Sequence, residues 1–218
     1  MKGLLKNNYY TVLPNAKIFS AAAVLSGIFV LAIGHGMSWL IIGYMLLVMI
    51  GFSFSSLAGI RKENTTKWSR HKLCAPVRRS DIIKSLFLSQ LLWLAAGAAF
   101  AGIDIALAVM LHGYPFDRAT DVFMLYVAGI GISLFMGAVF FPLFFLGGDE
   151  RNEIFLLFSL LGGTGIFMGL TAWMNHLFPA GMTPLQIIGS GMMILVCGVL
   201  AFAASCPLTV WIFRKKEY

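Results

Sequence analysis

Residues Arg61–Lys84 read RKENTTKWSRHKLCAPVRRSDIIK. This stretch holds Arg61, Lys62, Lys67, Arg70, Lys72, Arg78, Arg79 and Lys84, eight of the sixteen Lys and Arg residues in a 218-residue chain. Apolar runs of membrane-spanning length flank it on both sides. A charged side chain at the centre of the hydrocarbon layer costs about 2.5–3.5 kcal/mol on insertion scales. The stretch must therefore face water, and the runs beside it are the parts that enter the membrane. Its Trp68, Leu73, Val77, Ile82 and Ile83 make it more than a solvated tether, and we read it as a docking element on the cytoplasmic face.

Composition agrees with that alternation. The chain is 59% hydrophobic with a mean hydropathy of +0.86, against roughly 45–50% apolar residues in soluble domains. A net charge of +7 would suggest nucleic-acid binding in a soluble protein, but here the basic residues mark one side of a membrane. Cys74, Cys197 and Cys206 show no CxxC spacing, which disfavours a disulfide framework or a zinc site and leaves small packing residues. The first apolar run has no persuasive small-residue cleavage site, so it is expected to be retained.

In chain order, residues 1–17 form an expected interfacial helix. Leu5, Tyr9 and Val12 fall at i, i+4 and i+7, giving one apolar face with lysines opposite, and Pro14 should end or kink it. Apolar runs follow at about 18–34, 39–60, 84–111, 122–147, 154–177 and 184–213. Each reaches the roughly 17–25 residues needed to cross about 30 Å of hydrocarbon. The fold class is thus an all-α integral membrane protein of six spans in a single domain, 1–218. With the N-terminus inside, fifteen of the sixteen basic residues fall on the inner side and only Arg118 outside. The positive-inside rule then places both termini in the cytoplasm.

Within the spans, Gly129, Ser133 and Gly137, and separately Gly165 and Gly169, recur at four-residue spacing. Such stripes allow close backbone approach in lipid, and packing within the chain is the expected use. Trp39, Trp93, Trp173 and Trp211 read as interfacial anchors near span ends. Pro142 and Pro207 should bend the inner ends of spans four and six. The uncharged segment from His176 to Pro184 has the composition to dip back into the membrane rim.

The chain contains no Gly-Lys pair, so no phosphate-cradling G-x-x-x-x-G-K-[ST] loop. H-E-x-x-H and G-x-S-x-G are also missing, and His35, His71, His112 and His176 are scattered. No catalytic or metal-binding residue is assigned. Asp104 is the one acidic residue well inside a span, and intramembrane carboxylates face a partner, a cavity or a translocation path. The 61–84 stretch is either a lipid-attracted basic collar or a short helix around Thr66–Leu73 stopped by Pro76. In the second case a new helix begins near Ser80 as N-cap.

The whole chain resembles an ABC-2 type transporter permease of the small six-span group. The features that carry the resemblance are the Met-Lys-Gly-Leu-Leu start, the six spans and the first inner loop. That loop is similar to the family pattern E-x-x-x-K-W…L-P-V-x-R-x-x-I-V-x-S. Here the pattern is Glu63, Lys67-Trp68, then Ala75-Pro76-Val77-Arg78-Arg79, Asp81-Ile82-Ile83 and Ser85. It departs at Ala75, where Leu is usual, and at Ser69-Arg70-His71. The resemblance implies a type V exporter-like fold, with an interfacial N-terminal helix and a coupling helix between spans two and three that docks on a separate ATP-binding subunit. It makes Lys67, Trp68, Leu73, Pro76, Val77 and Arg79 coupling residues, with a smaller contact at Asp149, Glu150 and Arg151. It also implies a second permease chain as homo- or heterodimer partner, no cofactor on this chain, and ATP and Mg on the partner ATPase. Export of amphipathic or antimicrobial peptides, or similar hydrophobic compounds, is the implied activity; Asp104, from its place inside a span, is a candidate for the translocation path against a hydrogen-bonded structural role. Two rivals remain: a non-transporting bacteriocin-immunity-type membrane protein, and a proton-coupled secondary transporter using Asp104.

Overall fold

The structure, a computed structural model, describes residues 2–33, 38–65, 79–113, 116, 118–147, 151–177 and 183–215. Within them run six α-helices: α1 (Lys2–Ile33), α2 (Ser38–Thr65), α3 (Arg79–His112), α4 (Ala119–Gly147), α5 (Asn152–Leu177) and α6 (Pro184–Lys215). All six are long and apolar enough to cross a membrane, with mean hydropathy of 1.7–2.3 over the spanning window. At 26–34 residues each, they measure about 39–51 Å. That exceeds about 30 Å of hydrocarbon, so they tilt or project beyond it.

The bundle has two halves. In one, α2 packs against α1 and α3; in the other, α4 packs against α5 and α6; the contact of α2 with α4 joins them. These two central helices have 56% of their spanning window buried, against 22–28% for the four outer helices. The outer helices accordingly present apolar side chains outward, such as Leu25, Phe158 and Met193, as lipid contact requires.

The first helix differs from expectation. It is continuous from Lys2 to Ile33 with Pro14 inside it. Residues on both sides of Pro14 belong to one buried cluster, and that packing offsets the lost backbone hydrogen bond. Val12 and Ala16 are both buried, and Val12 lies so close to α2 that a Cβ on Gly59 would sit 2.7 Å from its Cγ2. The inward face is Asn8, Val12 and Ala16 rather than Leu5, Tyr9 and Val12. Asn8 turns inward because its Nδ2 donates to Ser85 Oγ on α3 at 3.1 Å, while Ser85 Oγ donates to the Ile82 carbonyl at 2.7 Å. Tyr9 stays exposed.

Aromatic packing fills the end of the bundle nearest the 61–78 stretch. Phe140, Phe141, Phe144 and Phe145 of α4 cluster with Phe87 of α3 and with Phe202 and Phe213 of α6. Phe87 and Phe141 stack with centroids 4.1 Å apart. Pro142 and Pro207 lie within α4 and α6. Trp39, Trp173 and Trp211 are exposed, and Lys215 Nζ sits 4.6 Å from the Trp211 ring centre. Trp93 is not an anchor. It is buried mid-helix, stacked at 5.6 Å on Tyr9 and at 6.3 Å on Phe52, because three helices converge there.

The small-residue stripes divide. Gly129 and Gly137 face inward, where a Cβ would meet Met49 Cε at 2.6 Å and the Gln90 amide at 2.3 Å respectively. Gly165 and Gly169 are exposed and would meet nothing within 4 Å. On α5 the close approach falls instead at Gly163, where a Cβ would sit 2.8 Å from the Met136 backbone nitrogen. Residue 165 is about 200° round the helix from residue 163, on the opposite side. At the start of α6, Gln186 N donates to Thr183 Oγ1 at 3.4 Å and Thr183 N to Gln186 Oε1 at 2.9 Å. With Pro184 between them, this reciprocal capping box starts the helix sharply.

Candidate functional site

Lys67, Trp68, Leu73, Pro76, Val77, Asp149 and Glu150 lie outside the described residues, as do the expected helix at Thr66–Leu73 and the segment 178–182. Arg79 opens α3, one residue before the expected cap at Ser80; its side chain is also outside the description. Arg151 is exposed at the entry to α5. What the structure does show is the pair of helix ends that hold the basic stretch. Leu57 and Ile60 on α2, Ile83, Leu86 and Phe87 on α3, and the phenylalanines of α4 belong to a single buried cluster. A displacement of either end must therefore repack α4, since interiors this dense do not deform freely.

Above that cluster a polar seam runs between the helices. Asn8 and Thr11 of α1, Ser56 of α2 and Ser89 of α3 line a small cleft between the three helices. Deeper in, Gln90 of α3 is 1% exposed. Its Nε2 donates to Ser53 Oγ of α2 at 3.3 Å and to the Ser133 carbonyl of α4 at 3.0 Å. Gln90 Oε1 and Ser133 Oγ are buried without a hydrogen-bond partner. Gly137 makes this arrangement possible, because any side chain there would occupy the amide's place. The remaining serines and threonines are mostly satisfied by carbonyls of their own helices, as with Ser159 to Leu156 at 2.8 Å and Thr209 to Ser205 at 2.7 Å. That is the economical way to carry hydroxyls in lipid.

Toward the other end of the bundle, Asp104 of α3 lies about 12 Å from His112 along the helix. It is partly exposed, but its Oδ2 is buried and has no hydrogen-bond partner. Two phenols lie within its electrostatic reach. Tyr44 of α2 is hydrogen-bonded to the carboxylate, and its hydroxyl also lies 2.8 Å from the Ala23 carbonyl of α1. Tyr126 of α4 is also in electrostatic reach, and its hydroxyl donates to the Ala98 carbonyl at 3.2 Å. A phenol has one proton to give: that of Tyr126 goes to a helix carbonyl, while the Tyr44 hydroxyl has both a helix carbonyl and the carboxylate within hydrogen-bonding reach.

Sequence reasoning singled out Asp104 but missed Gln90, Tyr44 and Tyr126. Gln90 had a usable signal, as an amide isolated within an apolar span. The tyrosines had none, since only packing brings residue 44 to residue 104 and residue 126 to residue 98. Among the described residues no group of three or more His, Cys, Asp or Glu is placed to hold a metal.

Six helices long and apolar enough to span a membrane, joined by a polar seam, define a multi-pass helical membrane protein. Residues 3–214 match the family described as ABC-2 family transporter protein, and the chain belongs to that family. Its members are membrane-spanning transport subunits that generally partner with an ATP-binding subunit. Neither the curated proteins nor the solved structures contain a match.

Proposed function

We propose that this chain is the permease subunit of a bacterial ABC exporter that moves amphipathic or antimicrobial peptides, or similar hydrophobic compounds, outward. The observation that carries this reading is the pairing of two features. The chain belongs to the ABC-2 family over residues 3–214, and its sequence contains no nucleotide-binding motif of its own beside a concentrated basic stretch, Arg61–Lys84. A separate ATP-binding subunit, holding ATP and Mg, drives the cycle and docks through Lys67, Trp68, Leu73, Pro76, Val77 and Arg79. Asp149, Glu150 and Arg151 form the smaller contact, and both termini are cytoplasmic. Movement of the α2 and α3 ends repacks α4 and shifts a pair of permease chains between two states; ATP and cargo act by binding those states unequally.

The test is co-expression with an ATP-binding subunit of about 25–35 kDa, the size of one such domain, followed by gentle solubilisation. The two should copurify, and the Trp68→Ala, Arg79→Ala double variant should lose the subunit while keeping its thermal midpoint. Cargo movement by vesicles containing this chain alone would overturn the reading, as would labelling that places residues 61–78 on the extracellular side.

A further inference from the structure

The two halves of the bundle carry their buried polar side chains differently. In the half built from α4, α5 and α6, Ser159, Ser190, Ser205 and Thr209 are buried, and each donates to a helix carbonyl at 2.7–2.9 Å. Those hydroxyls are satisfied within the protein. Between α2 and α3 the polar groups form a continuous seam instead. Ser53 and Ser56 lie a turn apart on α2, Ser85 and Ser89 a turn apart on α3, with Gln90 reaching Ser53 and Asn8 of α1 reaching Ser85. All six are 5% exposed or less. Here the pairing is incomplete, since Gln90 Oε1 and the hydroxyl of Ser133 on α4 are buried without a hydrogen bond. A small cleft also parts the helices at Asn8, Ser56 and Ser89. Unpaired buried donors and acceptors are costly, and contact with water removes that cost. An apolar interface has no such gain to make. The seam is closed at its far end, where Trp93 stacks on Phe52 and a Cβ on Gly97 would lie 3.0 Å from Phe52 Cβ and 3.3 Å from Met49 Cα.

We propose that the α2–α3 seam opens into a water-accessible crevice, entered from the end nearest residues 61–78 and stopped just beyond Gln90 by the Phe52–Trp93 contact. Gln90 lies about 16 Å along α3 from Arg79, so water in the crevice reaches roughly half-way across about 30 Å of hydrocarbon. As α2 and α3 part, Gln90 exchanges its bonds to Ser53 Oγ and the Ser133 carbonyl for bonds to water, and its Oε1 gains a donor. The Asn8–Ser85 bond is the contact that must break at the entrance. Opening belongs to this chain and needs no ATP-binding subunit, so it stands or falls separately from the permease reading.

The experiment is thiol labelling of the full chain in lipid nanodiscs, in a Cys74→Ala, Cys197→Ala, Cys206→Ala background. Single cysteines go into the seam as Ser53→Cys, Ser56→Cys and Ser89→Cys, each a one-atom exchange. Two more go beyond its closed end as Met49→Cys and Ala101→Cys, positions that are just as buried. The reagent, a trimethylammonium methanethiosulfonate, carries a permanent charge and does not reach a thiol through hydrocarbon. The seam positions should react at least about tenfold faster than the other two, the shift that relief of an unpaired buried group produces. Adding Gln90→Leu should slow the Ser89→Cys reaction by about tenfold, because an apolar seam has no reason to admit water. If Gln90 only held the helices together, its loss would loosen the seam and speed that reaction. Circular dichroism and the thermal midpoint report that each variant is folded. Seam cysteines in folded protein that label no faster than Met49→Cys and Ala101→Cys would overturn the proposal, as would faster labelling in the Gln90→Leu background.

Discussion

Replacing Gly163 by alanine tests the packing of the α4–α5 half most directly. The added Cβ would lie 2.8 Å from Met136 N, 3.0 Å from Met136 Cα and 3.1 Å from the Ile132 carbonyl oxygen. All three are backbone atoms, so no rotamer change relieves the contact. Ordinary van der Waals contact begins near 3.4 Å, and the two helices would have to part by roughly 0.6 Å. Overpacking of this kind costs about 1–3 kcal/mol. Alanine also gains about 0.8–1 kcal/mol over glycine in a helix interior, which would blur a single measurement. Gly165→Ala and Gly169→Ala receive the same helical gain with nothing within 4 Å to meet, so the comparison removes it. Gly163→Ala should therefore fall below both by about 1–3 kcal/mol. Each protein, in the same detergent micelle, would be followed by helical circular dichroism through reversible unfolding. Three indistinguishable stabilities would mean that α4 and α5 do not meet at Gly163, and the packing argument would fail.

Pro14→Ala should stabilise the protein, because it returns a backbone hydrogen bond to the interior of α1; a Pro in such a position is about 3 kcal/mol worse than Ala, and a lower thermal midpoint would show that the helix is not continuous there. In a double-mutant cycle, Gln90→Leu with Ser53→Ala should give a coupling of about 0.6 kcal/mol, the usual size for interhelical hydrogen bonds in membranes; zero coupling would mean that the 3.3 Å contact contributes nothing. Gly137→Ala must displace the Gln90 amide and should destabilise the wild type by about 1–3 kcal/mol, but less in a Gln90→Ala background where the obstructing group is gone. Equal losses in the two backgrounds would place the clash elsewhere.

Much of the candidate site was legible because lipid makes charge conspicuous. Asp104 stands out in an apolar span on cost alone, and the basic stretch at 61–84 stands out for the same reason. Trp93 was misjudged as an anchor because a tryptophan's position in sequence does not say which side of the helix faces the protein. Leu5, Tyr9 and Val12 form a true apolar face, but in a membrane an apolar face has no reason to turn inward. Asn8 does, since Ser85 is the partner it can find.

From the sequence alone came the six crossings and the expectation of a water-facing stretch between the second and third, though not the start of α1 at Lys2. Each follows from the transfer of single side chains between water and hydrocarbon, which is local. The tertiary structure alone decided that α2 and α4 form the centre, that Gly163 rather than Gly165 carries the helix contact, and that Tyr44 meets Asp104. Those outcomes depend on which sides of different helices are brought together, and hydropathy is silent on that because lipid solvates an apolar surface as well as a neighbouring helix does.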